Sequence, residues 1–234
     1  MRRLQVIVIA LLLAASVFGF GLIEGLLEGS RAGTRVIERT PLYVLTWQHV
    51  QLSLLPTAAA LILSLFLGCT LHFIGNRELK GLVLSACAIG ETFPSVAIIA
   101  LSVPALGYGN LPCMLALFIY AILPILRNTI TGLEEVGSGV REAAKGVGMS
   151  RLQVLAKVEL PLAYPIILAG LKIALIINIS AATLGASVGA GGLGVTIISG
   201  IRTYDALKVV KGTLPVLLMA LLADSLLRAR NADV

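Results

Sequence analysis

Glu91 sits inside an apolar run covering about residues 81 to 104, and an acidic side chain in such a place normally faces a cavity or a partner group, not lipid. Its chemistry would be electrostatic: attraction of a cationic solute, or pairing with Lys172, a base inside another apolar run. Pairing is the preferred reading, and a Glu91 close to the cytoplasmic face would instead meet water at the end of its span. Pro94 follows three residues on; it cannot donate a backbone hydrogen bond and leaves the Gly90 carbonyl without its helical partner. A bent helix of this kind is tolerated where it lines a cavity or is covered by protein. Pro124 invites the same argument, and Asn178 is a polar group deep in an apolar run, with a bond to a neighbouring helix as its simplest role. Glu91, Pro94, Lys172 and Asn178 are the candidates for a pathway or for helix pairing. His49 and His72 stand near opposite ends of one run without an accompanying nucleophile or carboxylate pattern, which argues against an intramembrane enzyme. Cys69, Cys87 and Cys113 fall in apolar runs without metal-ligand spacing and read as small packing residues.

The elements that position these groups follow from composition. Of 234 residues, 58% are hydrophobic and 13% charged, and the mean hydropathy is +0.99; a soluble domain could not cover that much apolar surface. Apolar runs at about 5–27, 50–74, 81–104, 111–131, 162–184 and 212–227 approach the roughly 20 residues needed to span a bilayer. The first is read as a transmembrane helix and not a signal peptide, for want of a small-x-small cleavage site. The expectation is an all-α polytopic membrane protein of about six helices, a single domain over 1–234.

Six spans place both termini on one side. With the N-terminus inside, eleven Lys and Arg are cytoplasmic: Arg2, Arg3, Arg77, Lys80, Arg127, Arg141, Lys145, Arg151, Lys157, Arg228 and Arg230. Six lie outside: Arg31, Arg35, Arg39, Arg202, Lys208 and Lys211. This bias predicts cytoplasmic termini. The net charge of +6 reflects these loops, and nucleic acid is not an expected partner.

One charged island, EAAKGVGMSRLQVLAKVELP at 142–161, then falls on the cytoplasmic side. Val140, Ala143, Ala144 and Val147 recur at helical spacing as one apolar stripe, with Arg141, Glu142 and Lys145 outside it. Gly146 and Gly148 are expected to end that helix by accepting positive φ. Ser150 and Gln153 have the capping-box spacing of a second helix, and Pro161 is expected to stop it. An amphipathic loop resting on headgroups is the plainer alternative; spans at both ends leave a DNA-reading helix-turn-helix no access to a duplex.

Glu142-Ala143-Ala144, Gly148 six positions after the glutamate, then nine residues, Val158, one residue and Leu160-Pro161 resemble the EAA loop of permease subunits in binding-protein-dependent ABC importers. Val158 stands where the family more often has isoleucine. The likeness runs from about Trp47 to Leu227, with the importer core over about 48–227. ETFPSVAIIALSVPALGYGNLP at 91–112, LPILRNTITGL at 123–133, VELPLAYPIILAGLKIALIIN at 158–178 and GASVGAGGLGVTIISGI at 185–201 look like the osmoprotectant branch, which imports glycine betaine, choline, carnitine and related quaternary amines. At the position of Glu91 that family usually has glutamine, and at that of Lys172 commonly arginine.

The resemblance implies a type I ABC importer permease fold in a bacterial or archaeal cytoplasmic membrane. It implies that Glu142, Ala143, Ala144, Gly148 and Pro161 belong to a coupling loop docked on a cytoplasmic ABC ATPase dimer. ATP and magnesium would be bound by that partner, with no cofactor in this chain. A second permease copy or paralogue and an extracytoplasmic substrate-binding protein complete the implied assembly, and the permease does no chemistry of its own. Two alanines permit close helix approach and Glu142 can pair with a partner arginine, so the physical reading agrees. The alternatives are a permease for methionine or another amino acid and, in a different class, a stand-alone secondary transporter; the latter commonly shows internal repeats, and none is evident. Six glycines between Gly185 and Gly200 predict tight backbone approach in a short helical turn at the outer end of the pathway. No Gly-Lys-Ser or Gly-Lys-Thr follows to make them a phosphate loop.

Overall fold

The computed structural model describes residues 2–27 and 40–227. Arg31, Arg35, Arg39, Arg228 and Arg230 of the charge count lie outside the described residues, as do the side chains of Arg2 and Arg3. The described elements are helices α1 (Arg2–Leu27), α2 (Leu42–Ile74), α3 (Arg77–Thr92), α4 (Ser95–Leu106), α5 (Asn110–Glu134), α6 (Ser138–Gly146) and α7 (Arg151–Val154). A π-helical turn (Leu155–Glu159), α8 (Leu160–Ala181), a 3-10 helix (Ala182–Val188), α9 (Gly194–Arg202) and α10 (Ala206–Leu226) complete them. By length and composition α2, α5, the run from α7 through α8 and α10 are long enough to cross a membrane, α3 with α4 forms a bent pair, and Leu4–Gly19 of α1 is a shorter apolar stretch.

The centre of the bundle is α5, packed along α2 on one side and α8 on the other. Small residues let the helices approach closely, as expected where dispersion and not hydrophobicity drives association. Gly68 of α2 faces Thr129, Gly132 of α5 faces Ala163, and Gly170 of α8 sits against Pro124 and Asn128. Ser64 Oγ donates to the Ile122 carbonyl at 3.2 Å. Fully buried Leu117, Ile125, Leu126 and Leu133 fill the seams between these contacts. A Cβ at position 170 would lie 2.7 Å from the Pro124 carbonyl oxygen and 2.6 Å from Asn128 Cβ. Gly170→Val should therefore push α8 off α5 and cost about 1–3 kcal/mol, read as a lower melting temperature of the detergent-solubilised chain; Gly81→Ala, inside α3 with open space around it, should not lower melting and should raise it slightly.

Three expectations are corrected. The run 81–104 is not one helix but α3 and α4, bent by 90°. Phe93 (φ −69, ψ 137) and Pro94 (φ −57, ψ 131) are both extended, because the proline ring disfavours the helical region for the residue before it. Pro161 does not stop a helix: Leu155–Glu159 widens into a π turn, with the Leu160 N–H donating to the Leu155 carbonyl. Pro161 follows directly within a helix that continues from Arg151 to Val188, and the widened ladder of the π turn accommodates its missing N–H. The last span starts earlier than 212, at Ala206, capped by Asp205 accepting from the Lys208 N–H; Lys208 and Lys211 are thereby helical, and Lys211 is buried. Pro124, by contrast, leaves α5 unbroken.

Candidate functional site

One end of the bundle carries α6 and α7. In α6 only Ala144 is buried; Val140, Ala143 and Val147 are exposed, as are Glu142 and Lys145. Three of the four residues of the stripe read from the sequence are thus uncovered, with Val147 79% exposed, while Ala144 packs inward. At the elbow Gly148 adopts φ +88 and its N–H donates to the Lys145 carbonyl at 2.9 Å, while the Met149 N–H reaches the Ala144 carbonyl at 3.2 Å. Gly146 is the last residue of α6 and does not have the positive φ expected of it. Ser150 Oγ accepts from the Gln153 N–H and Gln153 Oε1 from the Ser150 N–H, so the capping box forms and α7 leaves at an angle.

What fixes this unit to the bundle lies outside the motif. Arg141, expected to stand free of the packed face, turns inward: its Nε donates to Glu159 Oε1 at 2.5 Å and its Nη2 to the Leu133 carbonyl at 2.5 Å. That carbonyl is among the last of α5, which lack helical partners. Glu159, 5% exposed at the end of the π turn, also brings Oε1 to 3.2 Å from His72 Nε2 at the end of α2. His72 therefore does have a carboxylate beside it, contrary to the sequence reading. Arg151 lies over the Phe73 ring at 5.0 Å, and Lys80 pairs with Glu134 at 2.5 Å. Glu159 and Arg141 together thus join the ends of α2 and α5 and the start of α8 to α6. An acidic residue two positions before the proline that opens a span was the available signal.

The four pathway candidates do not converge. Lys172 pairs with Asp224 of α10 at 3.0 Å, which overturns the expected pairing with Glu91; the acid in the last apolar run had been passed over. Glu91 makes no ion pair among the described residues and lies two positions before Phe93, whose carbonyl accepts from the hydroxyl of Tyr120 of α5 at the Pro94 break. Asn178 is fully buried, its Nδ2 donating to Thr57 Oγ1 at 2.8 Å and to the Leu117 carbonyl at 3.1 Å; it joins α8 to α2 and α5.

At the opposite end, the glycine run forms the 3-10 helix, a loop and α9. The Gly192 N–H donates to Gln48 Oε1 at 3.1 Å and the Gly191 N–H to Asn110 Oδ1 at 3.3 Å. Gly192 has φ +87, and a Cβ there would sit 3.1 Å from His49 Nδ1. His49 is buried and donates through Nε2 to the Ile179 carbonyl at 2.8 Å. Gln48 and His49, unremarked as anchors in the sequence, tie this segment to the start of α2.

A family model described as binding-protein-dependent transport system inner membrane component matches residues 60–234. The chain is 38% identical over 189 residues to the glycine betaine/carnitine/choline transport system permease protein OpuCB of Bacillus subtilis, covering 81% of this chain and 86% of that protein. It is 38% identical over 188 residues to the osmoprotectant import permease protein OsmW of Salmonella typhimurium, with 78% and 86% covered. Inward-facing MetNI methionine ABC transporter matches in structure with a TM-score of 0.70 at 24% identity, over 80% of this chain and 94% of that chain, a likeness of fold.

Proposed function

The chain belongs to the family of binding-protein-dependent transport system inner membrane components, and from that premise we propose that it is the permease of an ATP-driven importer for glycine betaine, choline or a related quaternary amine. The observation that carries this reading is α6: a short helix anchored from behind through Arg141, with Val140, Ala143 and Val147 uncovered in front. An uncovered apolar face on a helix held this firmly suits a docking partner. Glu142, Ala143, Ala144 and Gly148 form the coupling contact with an ABC ATPase dimer, which binds ATP and magnesium and performs the hydrolysis. Pro161 opens the helix that carries the motion into the membrane.

In the full assembly a second permease copy or paralogue completes the pathway, and a binding protein delivers substrate to the end bearing Gln48 and the glycine loop. The chain lies in a bacterial or archaeal cytoplasmic membrane, with both termini and α6 on the cytoplasmic side. Selectivity for quaternary amines as a class rests largely on the binding protein, where aromatic cages suit quaternary ammonium groups.

Reconstitution with the ATPase and binding protein tests this directly. ATP-dependent uptake of radiolabelled glycine betaine or choline is expected, and uptake of methionine with neither amine transported would overturn the substrate reading. Glu142→Ala, at an exposed position, should leave membrane insertion intact while lowering ATPase co-purification and uptake about tenfold or more, the loss expected for a charged contact worth about 1.5–3 kcal/mol in a protein interface. Wild-type co-purification and uptake would remove Glu142 from the contact.

A further inference from the structure

The break between α3 and α4 has its own chemistry, separate from the coupling end. Its depth is set by α5: Tyr120, which reaches the Phe93 carbonyl, stands about 15 Å from the start of that helix at Asn110 and about 21 Å from its end at Glu134 at 1.5 Å per residue. Against a hydrocarbon core of about 30 Å, the break lies near the middle of the membrane. Four features meet there. Glu91 lies in the last turn of α3, two residues before Phe93, and makes no ion pair among the described residues, Lys172 being held by Asp224. Phe93 is half exposed. The C-terminal end of α3, with the negative partial charge of its last carbonyls, points into the break, and α4 starts there without a side-chain cap.

An acidic group at this depth faces a cavity or a protein surface and not lipid. Discontinuous helices that stop near the membrane middle are where transported ions and substrates are held. Aromatic faces beside an acid are suited to a quaternary ammonium, which donates no hydrogen bonds and is recognised by charge and by π electrons.

We infer that the α3–α4 break contacts the quaternary ammonium group of the substrate in transit, with Phe93 and Tyr120 as its aromatic wall, and that Glu91 makes the site favour amines of net positive charge. The inference rests on the quaternary-amine reading above. It goes further in separating two substrates of the same class. Choline carries a whole positive charge, which Glu91 attracts. Glycine betaine carries its own carboxylate a short distance from the ammonium, so attraction and repulsion from Glu91 largely cancel, and the uncapped start of α4 offers that carboxylate a favourable end.

Uptake by the complete transporter in proteoliposomes, with the purified chain level matched, tests this. Glu91→Gln should lower the choline-to-glycine betaine uptake ratio by about tenfold, the factor expected for loss of one partly screened charge interaction, and Glu91→Asp should keep the ratio within about twofold of wild type. An unchanged ratio in Glu91→Gln, or equal loss for both amines, would overturn the assignment, the second outcome marking Glu91 as structural only. If Glu91→Gln does not assemble, Phe93→Leu carries the test: it removes an aromatic face while leaving the carboxyl, and uptake of both amines should fall about threefold or more, with undiminished uptake overturning the site. A wild-type transporter that moves neither amine would instead defeat the functional reading itself, so the two failures are distinguishable.

Discussion

Gly148→Val is expected to reduce ATP-driven uptake about tenfold or more while the chain still inserts and assembles as a membrane protein. Gly148 has φ +88, and no atom lies within 4 Å of where its Cβ would be, so the penalty is one of backbone conformation and not of clash. For a β-branched residue in this region it amounts to roughly 1–2 kcal/mol, enough for the elbow to rearrange and α7 to leave α6 in another direction. Because α6 presents its open face only through this elbow and Arg141, a changed exit angle misdirects the docking face without touching the bundle. Gly146→Ala provides the contrast. It also has open space around it but lies within α6, so alanine should raise local helix stability by about 0.5–1 kcal/mol and leave uptake at wild-type level. Uptake and ATPase co-purification measured on both variants decide the matter; equal behaviour of the two would show that the elbow angle has no role.

Glu159→Ala is expected to be the most damaging single change at the coupling end. It strips Arg141 and His72 of one shared acceptor and leaves a guanidinium with a single remaining bond to the Leu133 carbonyl. Removing one partner from a pair this well buried costs on the order of 2–3 kcal/mol, toward the lower end because Arg141 retains some solvent contact. The readout is the ratio of substrate moved to ATP hydrolysed: α6 stays folded by its own hydrogen bonds but loses its tie to α2 and keeps one bond to α5, so hydrolysis should persist while uptake falls. Glu159→Gln keeps an acceptor oxygen and should lose less than the alanine variant. Proportional loss of hydrolysis and uptake in Glu159→Ala would instead mean that assembly alone had failed.

The helix–elbow–helix shape of α6 and α7 was readable from the chain because its determinants are local. Ser150 and Gln153 bond to each other's backbone three residues apart, and Gly148 meets a steric demand of its own position. Its attachment was not readable, since His72 and Glu159 are 87 residues apart and neither appears in a pattern with the other. The same limit governs Lys172. A base in an apolar run announces that a partner exists, but Glu91 and Asp224 both qualified by sequence, and the packing of α8 against α10 chose Asp224. Pro94 announced a bend; the right angle depends also on Tyr120 bonding the Phe93 carbonyl and on α4 lying across α5 and the 3-10 helix.

The π turn at Leu155–Glu159 gives this segment a tolerance in length that the other helices lack. Each helical residue turns the chain by about 100°, but the i→i+5 ladder already absorbs one residue more than an α turn would hold. Deleting one residue within it, with the turn tightening into ordinary α-helix, would leave the exposed face of α6 nearly in phase with α8 and shift it only by the rise of about one residue, about 1.5 Å. The same deletion in α8, with the π turn kept, would rotate everything upstream by about 100°, so the place of a single-codon deletion decides whether α6 still faces the same way.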